Sequence, residues 1–333
     1  MVVLEVFICI VILFVLLLVL FIGFFAVSDS TLNLFLCEKF GYSEGQHFVG
    51  KVIWVIGASS GIGEAVCKRL ASNYQCRLII SARRENNLEV VARSCTKFGH
   101  LSAEDIYVLP LDITKFDTFE QKVDLANSYF NRHVDIILLC SGQSQRAEWH
   151  EVEASVDEQC YRVNALGPTV LSRFAIRHHQ KHSLKSELQF IVISSICGIV
   201  PAPLSPSYTA AKHALMGYFR LLNLEYSDSR ISATIVCPSL TYSPNNVFNA
   251  FTGIPGKRNE EIITEQSAKH MSCERAAELI LVAGANHLAE VSLSKTALPL
   301  LFAYSFTLCP DITFRMIRAI GSKYIRKMRT GAD

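Results

Sequence analysis

The stretch "KVIWVIGASSGIGEAVCKRL", residues 51–70, decides the fold class. It opens with a short Val/Ile-rich run of strand length that could be buried on both faces. Gly57, Gly61 and Gly63 follow with the spacing G-x-x-x-G-x-G, and the next residues read as a helix. Glycines let the backbone turn tightly and come close to a pyrophosphate, and the helix start offers free N–H groups and its dipole to phosphate charge. Gly57, Ser59, Ser60, Gly61, Ile62 and Gly63 are therefore candidate cofactor contacts. The plainer reading is a tight strand–helix turn that holds nothing.

Outward from this turn, apolar runs of strand length recur at 76–82, 105–112, 134–140, 188–195 and 231–237, with "EVSLS" (290–294) as a seventh strand. Helical segments are expected at 61–72, 85–98, 116–131, 153–180, 208–228 and 273–287. Such alternation predicts right-handed crossovers and a parallel sheet covered on both sides, a Rossmann-type doubly wound α/β domain over 51–295. The second strand ends in "SARRE", where a fold preferring NAD usually carries an acidic residue. Arg83 and Arg84 suit a 2′-phosphate instead, favouring NADP(H) and leaving NAD(H) open; their plainer reading is exposure at a strand end. Asp112, ending the third strand, could hydrogen-bond adenine or cap a turn before Thr114. In "SYTAAKHALMGY" (207–218), Tyr208 and Lys212 stand four apart on a helix, one above the other.

Together these features resemble the classical short-chain dehydrogenase/reductase family over about residues 50–295. The resemblance implies that Tyr208, Lys212, Ser195 in "ISSICG" and Asn164 in "VNALG" are the catalytic set. The detail of "GASSGIGE", "SARR", "YTAAKHAL" and "HMSCERAAELILVAGANHLAEV" is similar to the family's membrane-anchored member 7 branch. Reducing a ketone or aldehyde needs a hydride at carbon and a proton at oxygen. A free tyrosine titrates near 10, and an ammonium one turn away stabilises its phenolate. By analogy Lys212 would also hold the nicotinamide ribose, Ser195 would bond the substrate oxygen, and Asn164 would position a water.

Three positions depart from the family pattern. Ile56 replaces the usual threonine, Leu139-Cys140-Ser141-Gly142 replace Asn-Asn-Ala-Gly, and Pro238-Ser239 replace Pro-Gly. Gly142 keeps its place as a cofactor contact. The threonine–asparagine brace is lost on both sides, leaving a cofactor floor that is either looser or packed apolarly.

Residues 1–27 contain an uncharged run, Val6 to Val27, of 22 residues, long enough to cross a bilayer. Its start lacks the basic residues of a cleaved signal peptide, so a retained anchor is expected, with 28–50 as connector. Lys39 and Lys51 after the span place the domain faintly on the cytosolic side. The resemblance implies an endoplasmic reticulum membrane and a homodimer. Residues 296–333 form an extension, apolar at "TALPLLFAYSFTLCP", which Pro299 interrupts, then basic at Lys323, Arg326, Lys327 and Arg329. A membrane-resting surface or a lid competes there with ordinary core packing.

The net charge of +2 and scattered basic residues give no footprint for nucleic acid. Eleven cysteines without metal-ligand spacing read as reduced and mostly buried, and no metal is expected. The expected partner is a lipophilic small molecule: a retinoid, a steroid or another lipid carbonyl. The alternative is a cofactor-binding or scaffolding membrane protein that keeps the fold without catalysis.

Overall fold

The computed structural model describes residues 2–42, 44–182, 185–242, 250–259 and 270–321. The predicted runs become β1 (Val52–Ile56), β2 (Arg77–Ser81), β3 (Ile106–Val108), β4 (Ile136–Leu139), β5 (Leu188–Ile193), β6 (Ile231–Pro238) and β7 (Glu290–Leu293). These strands make one parallel sheet in the order β7-β6-β5-β4-β1-β2-β3. Every residue of β1, β4 and β5 is buried, which is why their sequences are near-continuous apolar runs rather than alternating ones; the exception, Gln189 of β5, donates to Gly284 O at 2.8 Å. The strand order reverses between β1 and β4, and a crevice opens there at the carboxyl ends.

Helices α1 (Val2–Val27), α2 (Leu32–Phe40) and α3 (Glu44–Phe48) precede the sheet. One face is covered by α4 (Gly61–Asn73) and α5 (Glu85–Phe98), the other by α6 (Phe119–Ser128), α7 (Ala154–Tyr161), α8 (Gly167–Lys181) and α9 (Pro206–Glu225). Helix α10 (Cys273–Ala285) completes the first face. Helix α5 shows how patterning fixes this packing. Its buried positions are Leu88, Val91 and Cys95, a stripe at i, i+3 and i+7. Truncating Leu88 to alanine would cost about 2–5 kcal/mol.

The segment expected as a connector is docked on the domain. Leu34 and Phe48 are fully buried in the core beside α10. Ser30 pairs with Leu293 at the end of β7, Thr31 N donates to Ser292 O at 3.0 Å, and Ser294 N donates to Asp29 O at 2.9 Å. Arg275 of α10 clamps the segment. Its guanidinium bonds both Asp29 oxygens (2.8 and 3.1 Å), Glu38 (2.7 Å) and Glu278 (3.0 Å). A planar fork suits several carboxylates at once.

Helix α1 stands where the sequence predicts an anchor, 26 residues or about 39 Å long. Its described side chains include exposed Phe7, Ile10, Ile12, Leu13 and Val19. Counting the described residues alone, no helix is long and apolar enough to cross a membrane. After β7 come α11 (Ala297–Leu308) and α12 (Pro310–Ile320). Pro299 does not interrupt α11 but sits in its first turn, where a missing N–H is harmless. Leu298, Leu308, Ile312, Phe314, Met316 and Ile320 are exposed on this pair. Lys323, Arg326, Lys327 and Arg329 lie outside the described residues.

Candidate active site

The crevice is a cleft of about 450 Å³ at the carboxyl ends of the central strands. Gly57, Ser59, Ser60, Gly61, Ile62, Gly63, Arg83, Arg84, Asp112, Gly142, Ser195, Tyr208 and Lys212 all line it. Asn164 lies just behind the wall, fully buried, and is the one expected site residue that does not line it.

The glycine loop is shaped by close approach. Gly57 has φ +89°, and a side chain there would meet Ser141 N at 2.7 Å. A Cβ at Gly63 would strike Gly57 O, so α4 can start against β1 only with a glycine. Gly142 leaves room in the floor, since a Cβ would come within 3.1 Å of Asn164 Oδ1 and 3.6 Å of Lys212 Nζ. The substituted brace leaves an apolar floor. Ile56 is buried in the core against α6–α9, and Cys140 N donates to Ile56 O at 2.8 Å. Beneath it, Trp54 Nε1 donates to Ser81 Oγ at 2.8 Å, and Ser81 Oγ to Leu109 O at 2.6 Å. Asp112 caps its turn, accepting from Thr114 N (2.9 Å) and Thr114 Oγ1 (2.8 Å) while still facing the cleft.

Asn164 occupies a π-helical widening, Arg162–Leu166, between α7 and α8. Its Nδ2 donates to Cys160 O one turn back and to Gln143 O, both at 2.9 Å, and its Oδ1 accepts from Gln143 N at 2.9 Å. The amide thus clamps the loop after β4, with both donor hydrogens engaged on protein. What it leaves for a water is acceptor capacity.

Tyr208 and Lys212 share one face of α9, with Nζ 5.7 Å from the phenol ring centre. Lys212 is 2% exposed and donates to Ile193 O at 2.9 Å. Burial pushes its amine down to about 8. Burial also pushes the Cys140, Cys160 and Cys237 thiols up to about 12. They are neutral at pH 7, and no carboxylate among the described residues pairs with Lys212. Its charge is therefore directed at the phenol side of the cleft. Ser195 Oγ accepts from Cys197 N at 3.1 Å and reaches Pro238 O only at 3.5 Å. A donor held that loosely can turn to a substrate oxygen.

The family model for short chain dehydrogenase matches residues 51–250. The chain belongs to the short-chain dehydrogenase family. Human dehydrogenase/reductase SDR family member 7 is 32% identical over 308 residues, covering 92% of this chain and 88% of that protein. The chain is a short-chain dehydrogenase of that branch, an oxidoreductase acting on CH–OH and C=O groups. The 11-beta-hydroxysteroid dehydrogenase-like 2 of Arabidopsis thaliana is 30% identical over 194 residues, 58% of this chain and 60% of that protein. A Burkholderia cenocepacia short chain dehydrogenase solved in complex with NADP superposes with TM-score 0.62 at 15% identity, over 79% of this chain and 95% of that one.

The family's cofactor is a nicotinamide dinucleotide, and this short-chain dehydrogenase has the cleft for it. Ser141 lines the cleft, and its Oγ is shielded from solvent and has no hydrogen-bond partner among the described residues. Such an atom calls for a polar ligand. Gly57, Gly61 and Gly142 keep the floor clear for it. Ser141, noted in the sequence only as a departure from the family pattern, lines the same cleft with Arg146 and His270, none of them expected there as a contact. Ser141 carries a local signal, following a buried strand at its carboxyl end. His270 carries none, because the chain brings it back from a distant loop.

Proposed function

We propose that the protein is a membrane-anchored, NADP(H)-dependent oxidoreductase that interconverts a lipophilic carbonyl, such as a retinoid, a steroid or another lipid ketone or aldehyde, with its alcohol. The supporting observation is the position of the foot of α1. Ser30 pairs with Leu293 at the carboxyl end of β7. Leu293 O in turn accepts from Ser239 N at 2.7 Å, and Pro238 and Ser239 line the cleft. Helix α1 therefore leaves the domain from the same end of the sheet as the cleft, and α11 starts from that end too. With α1 in a bilayer, the cleft opens on the side from which an apolar substrate arrives, and the exposed apolar side chains of α11 and α12 rest against lipid. Endoplasmic reticulum membrane with the domain on the cytosolic side remains the reading of location.

Tyr208 delivers a proton to the carbonyl oxygen on reduction and takes it back on oxidation. Lys212 favours the phenolate left behind, and Ser195 Oγ donates to the oxygen as its charge develops. Asn164 holds the loop after β4 and offers an acceptor to a water that resupplies the proton. Bound in the glycine cradle, the nicotinamide cofactor supplies hydride to the carbonyl carbon. Arg83 and Arg84, both exposed at the cleft rim, select the 2′-phosphate. That a plant relative's name denotes an 11-beta-hydroxysteroid dehydrogenase fits the steroid option.

The test places the full chain in liposomes with NADPH and either a lipophilic carbonyl (retinal or a keto-steroid) or a water-soluble aldehyde. NADPH loss should be faster with the lipophilic compound and absent in Tyr208→Phe. Equal rates in the variant, or turnover of the soluble aldehyde alone, would overturn the proposal.

A further inference from the structure

A short hairpin, Ala250–Phe251 paired antiparallel with Arg258–Asn259, lies against the cleft. Phe251 N donates to Ser144 O at 2.9 Å, and Arg146 N donates to Phe251 O at 2.8 Å. Ser144, Arg146 and Ala250 all line the cleft. The hairpin is also tied to the start of α9, since Ser205 Oγ donates to the carbonyl of Gln145, the residue bridged to Phe251.

Arg258 holds an unusual position on this hairpin. Its guanidinium lies 3.9 Å over the ring of buried Phe251, so its orientation is fixed by the stack. Nη1 is shielded from solvent and has no hydrogen-bond partner among the described residues. Burial first, and then the positive charge of Arg83, disfavours its protonated form. A guanidinium nevertheless stays ionised. No acidic side chain among the described residues pairs with Arg258, Arg83 or Arg84. A shielded cation facing a second cation is an expensive arrangement unless an anion joins them. Arg83 lies at the rim where the cofactor's phosphate is expected, and Arg258 stands close enough to feel its charge.

We propose that Arg258 is a further residue of the 2′-phosphate site, carried by the hairpin over the adenosine end of the cleft to share that phosphate with Arg83. The proposal rests on the NADP(H) reading above. Discrimination between NADP(H) and NAD(H) is then divided between the turn after β2 and a segment more than 150 residues later in the chain. Because the same hairpin packs on Ser144 and Arg146, the phosphate fastens one wall of the substrate cavity.

The experiment measures dissociation constants of NADPH and NADH by titration calorimetry on the full chain, its Arg258→Gln variant and its Arg83→Gln variant. Loss of one charge-assisted contact predicts NADPH binding weaker by about tenfold or more in Arg258→Gln, with NADH binding unchanged. A wild-type NADPH constant in Arg258→Gln, or equal weakening for NADPH and NADH, overturns the proposal. If Arg83→Gln weakens NADPH alone while Arg258→Gln does not, the NADP(H) reading stands and this one falls. If wild type shows no preference for NADPH, the underlying reading fails, and this one with it. A second measurement needs no variant: modification of Arg258 by phenylglyoxal, followed by peptide mass spectrometry. Protection by 2′,5′-ADP but not by 5′-AMP supports the site, and equal modification with either nucleotide overturns it.

Discussion

Replacing Lys212 by methionine should make the protein more stable and inactive. The amine is buried, and burial lowers its titration point from 10.5 to about 8. A fall of about 2.5, at about 1.4 kcal/mol for each pKa step, puts the cost of the buried charge at about 3 kcal/mol. Methionine fills similar space without charge. It loses the bond to Ile193 O, which is worth about 1 kcal/mol. The net gain is about 2 kcal/mol, several degrees in melting temperature for a chain of this size. The pH dependence carries its own sign. At pH 7 folded and unfolded chains both hold the lysine proton, so the folded state bears the whole cost. Above about pH 8 the folded chain releases that proton while the unfolded chain keeps it up to about 10.5, so wild-type stability rises across this window. The variant lacks that rise, and its advantage shrinks towards pH 10. Thermal unfolding of both proteins without cofactor, from pH 7 to 10, reads this directly. A variant no more stable than wild type at pH 7, or an advantage that does not change with pH, refutes the reasoning.

Tyr208→Phe should lower turnover by about 10²–10⁴-fold with NADPH affinity unchanged, as steady-state rates and binding titration would show. Gly63→Ala drives a methyl group into Gly57 O and to 3.2 Å from the Ala58 Cα. It should cost about 1–3 kcal/mol and abolish cofactor binding, measured by urea unfolding and titration. Arg275→Leu leaves Asp29, Glu38 and Glu278 without their shared cation. A loss of about 2 kcal/mol is expected for these partly exposed pairs, read by urea unfolding of both proteins.

The sheet was legible in the sequence because strands buried on both faces are mostly apolar, and their few polar residues, such as Ser81 and Gln189, are hydrogen-bonded inside. Tyr208 and Lys212 were legible because helical spacing places them together, and the described cleft contains both. The interruption at Asn164 was not. Residues 153–180 read as one helix, whereas the structure widens it at Arg162–Leu166, where the Asn164 side chain takes up the Cys160 carbonyl. Apolar periodicity does not register a side chain that bonds its own backbone. Nor did it register the docking of α2 and α3. Helices of nine and five residues have little period to read. What seats α2 is a clamp between Arg275 and carboxylates 246 and 237 residues earlier in the chain, and α3 is held by Glu44, which accepts from the Tyr74 hydroxyl at 2.6 Å. The unpartnered Nη1 of Arg258 is equally non-local, a product of the fold rather than of neighbouring residues.

The Arg275 clamp also determines where the folding unit begins. A chain shortened to start at Lys51 would keep every strand and every expected catalytic residue, yet it would lose Leu34 and Phe48 from the interior. The α10 surface they cover would then face water, and Arg275 would lose Asp29 and Glu38. A chain shortened to start at Ser28 would lose only α1 and keep that interior closed. The boundary between what can be cut away and what must stay thus falls before the pairing of Ser30 with Leu293, more than twenty residues upstream of the glycine loop.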